Sequence, residues 1–247
     1  MSKFLKYALA AAVAGAFAVP AHAVPPNPVI DDFLGTQFVQ DMTTGDGGIW
    51  ATQSGPSATI FGGYRDIYVE KFDLTANDGG RGVRAAAGGG EFSFSEDTDQ
   101  IGLAALRWDG SVAGTGTTLG DVSVASNLGS LNALGTGVQV TYTSDFVFNI
   151  QICVYSTLSD FSCAAQVTDV TGVGIYKTDS VLWSEFFAFG AGADFDNVHA
   201  VEVIFNGDLS QASIDLAFST QKLPEPASLA LAGLALLGLG VARRRKS

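Results

Sequence analysis

Residues 145–156 read DFVFNIQICVYS, and this stretch decides the fold class. A period of two, apolar then polar, is typical of a β-strand with one face buried and the other closer to solvent. One side of the predicted strand carries Phe146, Phe148, Ile150, Ile152 and Val154, and the other carries Asn149, Gln151 and Cys153.

Several other short segments have strand character, and turn-rich pieces such as NDGGRG and AAAGGGE separate them. No stretch of more than ten residues after the leader shows a convincing helical period, and the 30 glycines favour turns. We therefore expect an all-β, antiparallel β-sandwich in a single domain over residues 24–222. The predicted strands are 64–74, 91–95, 101–108, 137–143, 172–177, 197–207 and 212–220, the last two as a closing hairpin.

Three of these segments occur in a suggestive order: VIDDF at 29–33, FGGYRDIYV at 61–69 and a long pair of strands at 201–219. This order resembles carbohydrate-binding jelly rolls of the galactose-binding type. The resemblance implies a jelly-roll-like sandwich with capacity for a glycan ligand.

The charge distribution excludes one class of partner. The chain has a formal net charge of -12, and between Val24 and Leu223 only seven Lys and Arg stand against 24 Asp and Glu. Such a body repels phosphate backbones, so we expect no nucleic-acid binding.

The N-terminus has the pattern of a signal peptide over residues 1–23. Lys3 and Lys6 precede an apolar segment, 7–19, which we expect to be helical. Ala21 and Ala23 then form an A-x-A site for signal peptidase. We expect export across the inner membrane.

The C-terminal segment, 223–247, ends in an apolar run and a basic cluster. The run 227–242 would span about 24 Å as a transmembrane helix, which is short for a bilayer core of about 30 Å. The cations that follow predict a cytoplasmic stop. They are Arg243, Arg244, Arg245 and Lys246.

Pro224, Glu225 and Pro226 stand directly before the apolar run. The order of this motif, run and basic cluster resembles the PEP-CTERM sorting signal of exported proteins from Gram-negative bacteria that make extracellular polysaccharide. The resemblance implies a transient inner-membrane anchor and processing by an exosortase. The released body would reach the cell surface or the extracellular matrix.

Cys153 and Cys163 are the two cysteines of the chain. Export places them in an oxidising compartment, and ten residues separate them. We expect a structural disulfide across a hairpin.

Aromatic and polar side chains suggest where a glycan would bind. Trp108 lies between Arg107 and Asp109, whose polar groups could bond to sugar hydroxyls. Core packing of these rings is the alternative. The other aromatic candidates are Trp50, Tyr64, Tyr68 and Trp183.

Catalytic and metal sites have weaker support. After the leader, His199 is the sole histidine, and it lies in an alternating strand without a nucleophile motif. We expect no cofactor, and calcium bound at acidic loops is the alternative. Its candidate ligands are Asp194, Asp196 and Asn197, and residues 96–99 form another acidic loop.

The leading hypothesis is a non-enzymatic envelope or matrix protein whose body is adhesive or contacts glycans. A secreted polysaccharide hydrolase with a carboxylate pair and a purely structural surface protein are the alternatives.

The tail pattern makes one prediction. Changing Pro224, Glu225 and Pro226 to alanine should leave export intact but retain the body in the inner membrane with its tail uncut, because the enzyme loses its recognition strip. A mass measurement of the C-terminus checks this, and normal processing of the variant would rule out exosortase recognition through this motif.

Overall fold

A computed structural model describes residues 30–43, 45, 47–56, 59–72, 82–97, 100–111, 119, 122–172, 174–207 and 215–222, the last range in backbone only. The predicted signal peptide and the predicted sorting tail, with their predicted helices, lie outside these ranges. Within the described part, no helix is both long and apolar enough to cross a bilayer. The strands are β1 Gln37–Asp41, β2 Ile49–Ser54, β3 Tyr64–Lys71, β4 Val83–Gly88, β5 Glu91–Glu96, β6 Gly102–Trp108, β7 Gly137–Ser144, β8 Phe148–Tyr155, β9 Phe161–Val167, β10 Lys177–Leu182, β11 Phe187–Phe189, β12 Ala200–Gly207 and β13 Asp215–Lys222.

The strands form two antiparallel sheets that pack face to face. One sheet has the order β1-β4-β5-β13-β7-β10, and the other has β11-β9-β8-β12-β6-β3-β2. Within them, β5-β13-β7-β10 faces β6-β12-β8-β9, which is the arrangement of two interlocked Greek keys. The predicted antiparallel β-sandwich is confirmed, and its connectivity is that of a jelly roll.

The alternating stretch that predicted the fold is strand β8, a central strand of the seven-stranded sheet. Its inward side chains are buried against the other sheet. At the interface, the Phe92 ring stacks on Phe205 at 5.1 Å, and Tyr142 meets Phe148 edge-on at 6.0 Å. Apolar burial on this scale is the main stabilising term of a sandwich.

Two predicted elements are wrong. The closing hairpin does not exist, because β12 pairs with β6 and β8 while β13 pairs with β5 and β7 in the opposite sheet. The strand predicted at 172–177 is replaced by a loop that precedes β10. There Thr143 Oγ1 donates to the Gly172 carbonyl at 2.7 Å, so side chains hold this loop near the sheet end.

A buried ion pair joins the first described segment to the seven-stranded sheet. Arg65 Nη1 lies 2.8 Å from Asp31 Oδ1, and both side chains are fully buried. The other Asp31 oxygen accepts from Trp108 Nε1 at 2.9 Å. Burial raises the pKa of Asp31, while Arg65 and the hydrogen bonds from Trp108 and Phe33 oppose that rise.

Three further N–H groups of Arg65 are also used. Its Nε donates to Gln37 Oε1, and its Nη2 donates to Gln53 Oε1 and the Gly35 carbonyl. The guanidinium lies 5.3 Å from the centre of the Phe33 ring. A buried charge is tolerated when its donors are satisfied in this way.

The predicted disulfide is confirmed. Cys153 and Cys163 lie directly opposite each other on β8 and β9, with Cα atoms 4.1 Å apart. They project from the outer face of the sheet, where Val122 and Ala200 pack against them. On the chain-entropy model, a loop of this size contributes about 2 to 3 kcal/mol.

The Arg65 network predicts a large stability effect. Replacing Arg65 with Met should lower the free energy of unfolding by about 3 to 5 kcal/mol, because the buried Asp31 carboxyl would lose its cation and Gln37 and Gln53 would lose their donor. Chemical denaturation measures this. The matched control is Arg84→Met, since Arg84 is 44% exposed in its pair with Asp97 and should lose at most about 1 kcal/mol. Equal losses in both variants would contradict the role of the buried pair.

A second prediction concerns pH. Burial raises the pKa of the Glu96 carboxyl from 4.5 to about 7, although the Gly102 N–H, 2.6 Å away, opposes the rise. Between these pH values the folded state binds more protons than the unfolded chain, so stability should fall as the pH rises. Glu96→Gln should remove up to about 3 kcal/mol of that dependence. Denaturation of both proteins across this range tests it, and the same pH slope in the two would contradict it.

Candidate functional site

A cleft of about 470 Å³ opens at the end of the sandwich where β3 begins and β6 ends. Its walls combine apolar and polar groups: Phe61, Leu128 and Leu134 are the apolar members, and Ser126, Asn127 and Ser130 are the polar ones. Backbone of two glycines completes the lining. Such a mixture suits a ligand with both apolar faces and hydroxyl groups.

Two glycines permit the close packing at the cleft. Gly62 and Gly110 adopt φ values of 73° and 69°, in the left-handed region that other residues avoid. A Cβ atom at either position would lie within 2.8 Å of the Leu128 side chain. Both turns can therefore approach the 126–134 segment closely enough to form one wall.

The 126–130 segment is fixed to the loop that precedes β12. The Leu128 N–H donates to the Val198 carbonyl at 2.7 Å, and Ser130 Oγ donates to Asp196 Oδ1 at 2.7 Å. Asn127 donates to the side-chain oxygen of Asn197. Loop-to-loop bonds of this kind hold the polar groups in place.

The predicted calcium ligands lie in the loop that contacts the 126–130 segment. Asp194 Oδ1 accepts from the Asp196 N–H at 3.0 Å, and bonds from Ser130 and Asn132 lower the pKa of Asp196. In the ranges that the structure describes, no three His, Cys, Asp or Glu side chains converge on a possible metal position. Calcium at Asp194, Asp196 and Asn197 stays a prediction.

A cluster of aromatic rings lies behind the cleft. Trp183 contacts Phe186 at 5.6 Å and Phe195 at 5.1 Å between ring centres, and all three are half-buried. Trp183 Nε1 donates to the Gly135 carbonyl at 2.7 Å, next to the cleft segment. Of the predicted aromatic contacts, Trp183 is hydrogen-bonded beside the cleft segment, and half-buried Tyr64 begins β3 two residues after Gly62 of the cleft wall.

The predicted glycan contact at 107–109 needs correction, because the structure places all three side chains inside the fold. Trp108 has no exposed surface, and its ring nitrogen is committed to Asp31. Arg107 pairs with buried Glu202 at 2.9 Å, and Asp109 accepts from the Ser111 and Ser123 N–H groups. A sugar could not reach these groups in this fold.

Two other aromatic candidates lie on the outer face of the seven-stranded sheet. The Arg107 guanidinium lies 4.1 Å from the centre of the Trp50 ring, and Trp50 contacts buried Tyr68. His199 has a structural contact as well, since its Nδ1 lies 2.8 Å from the Val124 carbonyl. The Trp50 and Tyr68 rings pack with Leu103 and Ala105, whereas His199 holds the 122–124 segment on the sheet.

Sequence reasoning did not identify the cleft residues. Their one signal is a cluster of turn-forming residues, SNLGS at 126–130, which marks a loop without specifying a site. Of the residues that face them across the cleft, Phe61 and Gly62 come from a turn more than 60 residues earlier in the chain, and Gly110 comes from the turn after β6.

Comparison with known proteins identifies the segment that follows the body. Residues 223–246 match the PEP-CTERM protein-sorting motif. The tail is a PEP-CTERM sorting signal. It indicates an exported protein that an exosortase sorts, with a membrane-anchoring signal at its C-terminus.

The body has low-level similarities only. An alignment with a family 11 carbohydrate-binding module from Clostridium thermocellum covers 78% of this chain and 96% of the module, at 11% identity and a TM-score of 0.35. An alignment with an agarase covers 57% of this chain and 23% of the agarase, at 9% identity and a TM-score of 0.38. No curated protein matches the chain.

Proposed function

We propose that this PEP-CTERM protein is a non-enzymatic, glycan-contacting module sorted to the cell surface or extracellular matrix. The proposed glycan binding rests on the cleft at the end of the sandwich, where Asn127, Ser126 and Ser130 lie beside an apolar floor. Sugars present hydroxyl groups at their edges and apolar C–H faces, and this wall offers a partner for each.

The net charge of the body limits the class of glycan that would bind. Seven cations against 24 carboxylates would repel an acidic polysaccharide, so a neutral glycan is the best fit. Asp194 and Asp196 are exposed next to the cleft and strengthen this preference.

The acid groups near the cleft favour binding over hydrolysis. A glycosidase needs a general acid with a raised pKa. Hydrogen bonds lower the pKa of Asp196, whereas Asp31 and Glu96, whose pKa values burial raises, are buried in the fold. The acid pair that a polysaccharide hydrolase requires therefore has no support at this position.

The cleft makes a direct prediction. Ser126→Trp should weaken binding of a neutral polysaccharide about tenfold or more, because an indole would fill the opening. Binding of the full chain to an array of neutral polysaccharides measures this. Ser180→Trp is the matched control, since Ser180 is also an exposed serine but belongs to β10 in the other sheet.

Other outcomes would assign a different function. Release of soluble sugar would favour the hydrolase. Absence of binding by the folded wild type would favour a purely structural surface protein. The same assay with added calcium, or with a chelator, tests the predicted role of Asp194, Asp196 and Asn197.

A further inference from the structure

The chain leaves the sandwich at a defined place. Strand β13 ends at Lys222, opposite Val138 of β7, and Val138 is in turn opposite Val181 of β10. The sorting motif begins at the next residue, 223, so no spacer separates the last strand from the signal.

This lack of a spacer limits the distance between body and membrane. Four residues, 223–226, precede the apolar run, and four extended residues reach at most about 14 Å. While the tail is anchored, the end of the sandwich that contains Lys222 must therefore face the bilayer at close range.

The turn between β8 and β9 lies at the same end. Tyr142 near the end of β7 contacts Phe148 at the start of β8. The beginning of β7 and the end of β8 therefore lie at the same end of the sandwich. The Asp194 N–H donates to Ser156 Oγ in the turn at 2.7 Å, and the neighbouring Phe195 ring contacts Trp183, which follows β10.

Exposed apolar side chains occur at this end in the β8–β9 turn, at the last residue of β10 and in β11. Phe189 stacks on Phe161 at 4.6 Å between ring centres, and its outer side faces solvent. We call the group the apolar edge patch. Its members are Leu158, Leu182, Phe187 and Phe189, which are 58%, 40%, 76% and 47% exposed.

We propose that the apolar edge patch rests in the interfacial region of the lipid bilayer while the tail anchors the chain. Aromatic and leucine side chains favour this layer, and the tail keeps them within reach of it. The neighbouring carboxylates stay among the headgroups, since Glu185 is exposed and Asp160 is half-buried. The contact is apolar, so it needs no anionic lipid.

Exposed apolar groups also occur at the opposite end, where Val167 and Ile175 are 59% and 63% exposed. The seven residues of β9 separate Val167 from Phe161 by about 20 Å. Both ends carry exposed apolar groups. The apolar edge patch is the one that faces the membrane because the chain leaves the sandwich at its end.

Such a contact would orient the substrate of the sorting enzyme. With the body resting on the bilayer, the strip 223–226 is held at the membrane surface, where a membrane-embedded exosortase acts. After cleavage the tether is lost, and a patch of four side chains should release the body.

The hairpin β8–β9 offers a matched pair of positions for the test. Leu158→Cys and Val167→Cys replace side chains of nearly equal exposure at opposite ends, and Cys153 and Cys163 remain oxidised and do not compete for the label. Each variant of the full chain is labelled with a fluorophore and bound to phosphatidylcholine vesicles with brominated acyl chains. Quenching at position 158 should exceed that at 167 by about threefold or more.

Equal quenching at the two positions, or none at either while the chain floats with the vesicles, would overturn the proposal. The proposal rests on membrane anchoring by the tail. If the chain does not float with vesicles, the tail does not anchor it and the proposal fails at that step. This outcome would not bear on glycan binding by the cleft. Loss of quenching in the doubly substituted Phe187→Ser, Phe189→Ser chain labelled at 158 would support the role of the patch.

Discussion

The buried pair of Asp31 and Arg65 fixes the start of the body to the rest of the fold. Asp31 lies before the first strand, Arg65 lies on β3, and Trp108 on β6 donates to the same carboxylate. A carboxylate and a guanidinium placed in an apolar interior cost several kcal/mol each unless their hydrogen-bonding groups are satisfied. The network therefore permits one arrangement of these segments and penalises others.

That arrangement also positions the strand ends that form the cleft. The turn at 61–63 immediately precedes the strand that carries Arg65, and Gly110 follows the strand that carries Trp108. Once the ion pair sets these two strands, their ends form one wall of the cleft, and the 126–134 segment forms the other. The candidate site thus depends on a contact in the core that no ligand would touch.

Some features followed from local pattern because local physics decides them. Alternation along 146–154 predicted a strand with one buried face, and the predicted export signal made the cysteines candidates for a disulfide. Trp108 was assigned to the wrong environment. It shares a face with Ala104 and Leu106, both buried, so the same alternation that marks a strand also places this ring in the core.

Local patterns in the chain were enough to predict the fold class, the cysteine pairing and the sorting tail, because each depends on side chains close together in the chain. The pairing of β13 with β5 and β7, the ion pair between residues 31 and 65, and the cleft became visible only in the folded protein. These depend on which strands become neighbours. The choice of neighbouring strands depends on how one sheet face packs against the other, so it cannot be predicted from any single segment of the sequence.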